Sequence, residues 1–281
     1  MNERILTAEQ FDAYSCWLRQ GERSLATIEK YLRDVQAFAR WLNGKPVTKE
    51  AVAGWKEYLQ SEHRAPATVN AALSALNSIF GFLGWENCRA RFLRIQRRLF
   101  RDQTKELTRT DYSRLVATAR DLGRERLALL METICSTGIR VSEVRYITVE
   151  TVRQGRAEIA LKGKIRMILM PTKLCRKLLK YAKKQRIVSG ELFLTRSGNS
   201  MSRCQIWAEM KRVCKYAGVE PVKVFPHNLR HYFAVTFYRS YKDIARLADV
   251  LGHSSIETTR IYLLTSGKEH RRQLDRLGLV S

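Results

Sequence analysis

Apolar positions recur with helical period along most of the chain. Phe11, Tyr14, Trp17 and Leu18 form one apolar face near the start. A second face runs through Ile28, Tyr31, Leu32, Val35, Phe38 and Trp41, with Ser24 placed to cap its start and Asn43-Gly44 to stop it. Thr48 opens a third helix carrying Val52, Trp55 and Leu59, and residues 69–83 give a fourth. Four such helices predict a compact all-α module over residues 1–87, built as two helical hairpins. Its aromatic residues stand at helical spacing, so they are expected in the core rather than as platforms for stacked bases.

The helical period resumes after Thr108, over 111–120 and 124–136. The stretch "RAEIALKGKIRMILMP" (156–171) breaks it. Ile159 and Leu161 before Gly163, and Ile165, Met167 and Leu169 after it, alternate with period two, which predicts a β-hairpin. Helical patterning returns over 172–186, 202–217, 226–239, 243–251 and 255–264. The expected fold is mainly α: a four-helix N-terminal domain, then a mixed helical domain over 108–281 with a small β-hairpin or sheet. A length of 281 residues suits two domains.

Charge changes this picture by pointing to a partner. The net charge is +24, which favours nucleic acid or an anionic membrane surface. Residues 1–103 hold 16 basic against 11 acidic side chains, a net of +5, and residues 104–281 hold 35 against 16, a net of +19. Between the domains, "CRARFLRIQRRLFRDQTKELT" (88–108) carries six arginines before its first acid, Asp102. Such a run is ordinarily a solvated face. Between two domains of a basic protein, 88–107 reads as a linker tracking a phosphate backbone, with Arg94, Arg97, Arg98 and Arg101 as contacts. No apolar run reaches the ~18 residues of a membrane span, and the N-terminus lacks a signal-peptide core, so a cytoplasmic protein without membrane contact is expected. The six cysteines form no CxxC pair, which argues against a zinc ribbon and for a reduced compartment.

Four segments carry candidate chemistry. In "STGIRVSEV", Thr137-Gly138 breaks a helix and Arg140 stands at the start of the next, able to aim a planar fork of donors at a phosphate. Glu143 can orient that turn. The hairpin turn "LKGKIR" brings Lys162, Lys164 and Arg166 beside a glycine that allows close approach to a ligand backbone. In "VFPHNLRHYFAV", His227 lies one helical turn from both Arg230 and His231. Two histidines at that spacing could hold zinc. A fixed cation between them repels a divalent ion and suits an anion instead. In "LADVLGHSSIETTRIYL", Gly252 closes a helix, His253 sits in the turn, a serine caps the next helix and Tyr262 projects from it. Alone, that last segment also reads as the helix-turn-helix of a DNA-binding regulator.

In this order, "TGIRVSE", "LKGKIR", "HNLRH" and "LGHSSIETTRIY" resemble the boxes of the tyrosine recombinase (phage-type integrase) family, and its short, Xer-like members most. The resemblance implies a SAM-like, core-binding DNA domain over 1–87 and a catalytic domain over 108–281. It implies a catalytic set of Arg140, Lys162, His227, Arg230, His253 and Tyr262, with Lys164 and Arg166 as DNA contacts. Tyr262 would attack the scissile phosphate to give a 3′-phosphotyrosyl intermediate. The arginines would neutralise its non-bridging oxygens and His227 would take the phenol proton. Lys162 would protonate the leaving oxygen, and His253 would donate to a phosphate oxygen. No metal, cofactor or ATP is called for, and the chain carries no GxxxxGK[ST] loop.

The partners implied are duplex recombination sites and a homotetramer on DNA, with a second recombinase left open. A type IB topoisomerase would share the nucleophile, but a four-helix front domain matches the recombinase layout better. The hairpin departs from the family pattern. Leu161 replaces its first glycine and one residue is missing between the lysines, so Lys164 competes with Lys162 for the acid's role. His231 is expected as a packing or hydrogen-bonding partner in the core. Leu274, Leu277 and Leu279 mark an apolar tail helix that could dock on a neighbouring protomer or fold back on its own domain.

Overall fold

The computed structural model describes residues 4–95, 103–161 and 164–262, with positions 271 and 275–277. The chain divides into two compact units, 1–97 and 98–281.

In the first unit, α1 (Ala8–Gln20), α2 (Leu25–Leu42), α3 (Lys49–Ser61) and α4 (Pro66–Phe82) follow one another through short turns. Thr7 and Gln10 form a capping box on α1, Thr48 caps α3, and Pro66 opens α4 where no amide donor is needed. Tyr14, Phe38, Trp55 and Phe80 meet in the core with Val35, Leu73, Leu76 and Ile79. The aromatic expectation holds for these, whereas Trp17, Trp41 and Tyr58 reach the surface.

The first residues of the expected linker belong to this unit. Asn77 accepts from the backbone N–H of Ala90 (2.8 Å) and donates to its carbonyl (3.0 Å); Asn70 does the same to Leu93 (2.7 and 2.9 Å). The spacing explains the fit. Seven residues along a helix cover about 10.5 Å, and three residues of extended chain cover about 10 Å. Two carboxamides on one face of α4 thus act as a substitute strand for residues 90–93. Arg89 pairs with Glu86 at 2.8 Å, while Arg91 and Arg94 are exposed.

In the second unit, α5 (Arg109–Asp121) and α6 (Glu125–Thr137) lead through a 3-10 segment, Val141–Tyr146, to α7 (Val149–Gln154). There follow β1 (Arg156–Leu161), β2 (Lys164–Leu169), α8 (Thr172–Lys184), α9 (Arg203–Tyr216), α10 (Pro226–Tyr241), α11 (Ile244–Leu251) and α12 (Ile256–Thr259). Helix α6 is buried on nearly every side, Leu127 to Ile134, and packs against α5, α8, α9 and α10. Of the helix expected over 255–264, the described residues form one α-turn, Ile256–Thr259, followed by a 3-10 turn, Arg260–Tyr262.

The hairpin is antiparallel, pairing Leu161 with Lys164 and Ile159 with Arg166. Ala157, Ile159 and Ile168 face the core, and Ile165, Met167 and Leu169 face outward. Arg166, expected as a DNA contact, therefore points inward with Ile159, and its side chain is only 10% exposed. No helix among the described residues is long and apolar enough to cross a membrane. All six cysteines are free; Cys88, Cys175 and Cys214 are buried as small fillers, and Cys16 and Cys204 are exposed.

Candidate active site

Two helix ends build the site. Helix α6 stops at Gly138, whose φ of +65° is natural only for glycine and whose Cβ would lie 2.4 Å from Phe233. Helix α11 stops at Gly252, with φ +62° and no room for a Cβ, because Arg166 Cδ would be 2.2 Å away. The carbonyls left over at these C-termini carry the negative end of each helix dipole, and guanidinium groups fill both. Arg230, on the first turns of α10 and 2% exposed, donates from Nη1 to Gly138 O and from Nη2 to Leu251 O at 2.8 Å. Arg166 Nη1 shares the Leu251 carbonyl, and Arg140 Nη2 reaches Gly252 O at 3.3 Å.

Glu143 ties the guanidinium groups together. It is 2% exposed and binds Arg140 through the backbone N–H (2.7 Å) and Nη1 (2.8 Å), and Arg166 Nη2 at 3.0 Å. A buried carboxylate between two guanidinium groups offsets their repulsion and fixes their planes. Arg140 still has 43% of its side chain exposed, so its free edge is open to a ligand. Together with Ser142, Trp207, Phe225, His227 and Arg230 it lines a cavity of about 490 Å³. Burial and the Arg140 charge push Arg230 down to about 10, which leaves it cationic at neutral pH.

The histidines differ in setting. His227 stands exposed at the rim of α10; partial desolvation, then Arg230 and Arg140, hold its pKa below the usual histidine value. Such a ring is neutral at pH 7 and can accept a proton. His253 receives Arg230 Nη2 at Nε2 (3.0 Å) and meets Thr259 Oγ1 at Nδ1 (2.9 Å). Burial and the charges of Arg230, Arg140 and Arg166 push His253 down to about 4. Expected as a donor to phosphate, its Nε2 is an acceptor toward Arg230.

Tyr262 is only 2% exposed and packs with Ala234, Leu247 and Leu251. His253 lies parallel to its ring (centroids 6.1 Å apart, planes at 13°), and His231 meets it edge-on. Arg230 is its electrostatic neighbour. The structure thus brings Arg140, His227, Arg230, His253 and Tyr262 into one region of the second unit. Among the described residues no three His, Cys, Asp or Glu side chains converge as metal ligands.

Lys162, Arg97, Arg98 and Arg101 fall outside the described residues, and Lys164 opens β2. The expected tail helix lies largely outside them too. Sequence reasoning missed the inward turn of Arg166, the hydroxyl of Thr259 and the place of Trp207. For Thr259 a signal existed in its position between His253 and Tyr262; for Trp207 there was none.

Residues 105–268 match the phage integrase family, and residues 9–87 match the phage integrase N-terminal SAM-like domain. The chain is 30% identical to the tyrosine recombinase XerD of Xanthomonas axonopodis pv. citri (strain 306), covering 92% of each. It is 27% identical to the tyrosine recombinase XerA of Pyrococcus furiosus, covering all of this chain and 98% of that one. Its fold matches a XerH site-specific recombinase solved on its difH substrate (TM-score 0.71, 19% identity, 98% of this chain and 85% of that chain). It also matches a lambda integrase tetramer solved on a Holliday junction (TM-score 0.73, 19% identity, 90% and 76%). With a deep arginine clamp beside a tyrosine and two domain matches in the expected order, the chain belongs to the phage integrase family and is a site-specific tyrosine recombinase.

Proposed function

We propose that this chain cuts and rejoins duplex DNA at specific sites, with Tyr262 as nucleophile and a 3′-phosphotyrosyl intermediate. The observation that carries this reading is Arg230: buried, bonded to His253, electrostatically coupled to Tyr262, and lining one cavity with Arg140 and His227. The scissile phosphate binds at the exposed edge of Arg140. Arg230 exchanges its carbonyl partners in part for a non-bridging oxygen. A pentacoordinate phosphorus gathers charge on those oxygens, and two fixed guanidinium groups stabilise it without a metal. His227, neutral at pH 7, takes the phenol proton. Lys162, which follows β1 in the sequence, protonates the leaving deoxyribose oxygen. One phosphodiester is exchanged for another, so no ATP is consumed.

The basic second unit supplies most of the phosphate contacts. The four-helix unit and the arginines after Leu93, namely Arg94, Arg97, Arg98 and Arg101, contribute the rest. By likeness to the lambda integrase assembly, the working form is a tetramer joining two sites, in the cytoplasm.

The test is a duplex nicked beside the cleavage point, which traps covalent protein. Wild type forms the adduct in EDTA; Tyr262→Phe binds the duplex and forms none. An undiminished adduct from Tyr262→Phe, or an adduct that appears only with added metal, overturns the reading.

A further inference from the structure

Thr259 is fully buried on the single turn of α12, and its hydroxyl is aimed at an imidazole six residues back, His253 Nδ1, at 2.9 Å. The direction of that bond follows from the ring's other side. Arg230 Nη2 can only donate, so His253 Nε2, 3.0 Å away, must accept. A neutral imidazole with a bare Nε2 carries its proton on Nδ1. Nδ1–H therefore donates to Thr259 Oγ1.

We propose that Thr259 is a positioning residue of the recombination reaction: its hydroxyl accepts the Nδ1–H of His253 and so fixes the plane of the imidazole whose Nε2 holds Arg230 in place. The inference rests on the recombinase reading of the site. The charged and titratable groups around His253 are Arg230, Arg140, Arg166, His227 and Tyr262. Three of these are fixed cations, so a second proton on the ring is disfavoured. A bound phosphate offsets those cations. Nε2 can then take a proton from solvent and donate it to a phosphate oxygen, while Nδ1–H stays on Thr259. One hydroxyl thus serves both states: in the first, His253 orients Arg230; in the second, it faces the phosphate. Valine has nearly the same shape and offers neither partner.

The full chain labelled with ¹⁵N-histidine, without DNA at pH 7, reads the tautomer directly, with His253 assigned from a His253→Gln spectrum. Wild type and Thr259→Ser should show Nδ1–H, moved downfield by its acceptor, with Nε2 bare, and Thr259→Val should keep the bare Nε2 but lose that downfield shift and exchange its Nδ1–H with solvent about tenfold faster or more. With the nicked duplex, Thr259→Val should form adduct about tenfold to a hundredfold more slowly, the size of a lost hydrogen bond in a charged network. Its pH profile should also move, and Thr259→Ser should stay within about threefold of wild type. A wild-type Nε2–H tautomer overturns the proposal, as does a valine variant that keeps either the wild-type Nδ1–H shift or the wild-type rate. If wild type forms no adduct on any duplex while the tautomer is as stated, the recombinase reading is what fails.

Discussion

The imidazole of His231 meets the ring of Tyr262 edge-on, with centroids 5.1 Å apart and planes at 65°. His253 covers the phenol ring from another side, so the proposed nucleophile is held between two imidazoles rather than presented to solvent. Half-buried, His231 is placed to fix the plane of the Tyr262 ring. An edge-to-face pair contributes about 0.5–1.5 kcal/mol beyond simple burial. His231→Ala should therefore slow adduct formation by up to about tenfold and raise the rate at which Tyr262 is nitrated by tetranitromethane, read by mass spectrometry. Unchanged nitration together with an unchanged rate would remove His231 from the site.

Gly252→Ala is expected to do more damage than its single methyl suggests. The position has φ +62°, and the added Cβ would meet Arg166 Cδ at 2.2 Å. The backbone strain alone should lower stability by about 1 kcal/mol or more. The displaced guanidinium would also leave Glu143 and the Leu251 carbonyl short of a partner. Urea denaturation should show the loss, and the nicked-duplex assay should show adduct reduced while DNA binding in a gel shift persists. Full activity in this variant would mean that Arg166 does not help to hold the clamp.

Stability should fall on mild acidification, and His253 should account for part of the fall. Its folded pKa, about 4, lies below the ordinary histidine value of about 6.5. Between those values the unfolded chain binds a proton that the folded one rejects, so its stabilising contribution is complete above pH 6.5 and is lost as pH falls toward 4. His227, shifted in the same direction, adds to the slope. Urea midpoints at pH 7, 6 and 5 should decline in wild type and decline less in His253→Gln. Parallel slopes for the two proteins would contradict the assignment.

Lys162→Ala should slow cleavage of an ordinary phosphodiester, and a 5′-bridging phosphorothioate should restore it, because a thiolate leaves without being protonated. Arg140→Ala should gain nothing from the same substrate, since its charge acts on the non-bridging oxygens. Rescue of Lys164→Ala but not of Lys162→Ala would move the acid two residues along the hairpin.

The sequence makes most of the helices legible, because amphipathic faces such as Ile28–Val35–Phe38 are local. Arg140, Arg230, His253 and Tyr262 are legible as well, since each stands in a spaced box of its own. Alternation in the hairpin shows two faces without saying which is buried. Counting apolar residues favours Ile165, Met167 and Leu169, yet Arg166 and Ile168 turn inward, because Glu143 and the end of α11 wait for the guanidinium. Glu143 lies 23 residues from Arg166 and Leu251 lies 85 away, distances over which no periodicity carries information. The same holds for Arg230, whose carbonyl partner Gly138 is 92 residues earlier.

The two asparagines of α4 decide where this protein can be divided. Because Asn70 and Asn77 bind the backbone of Leu93 and Ala90, a hybrid that borrows another recombinase's front unit should be joined after Leu93. A seam placed at the end of α4 would import helices whose carboxamides, if present, face a foreign segment of unmatched length. It would also leave the native 90–93 stretch without its surrogate strand. For anyone retargeting the enzyme by domain exchange, the practical unit of modularity is therefore the four helices together with the segment they hold.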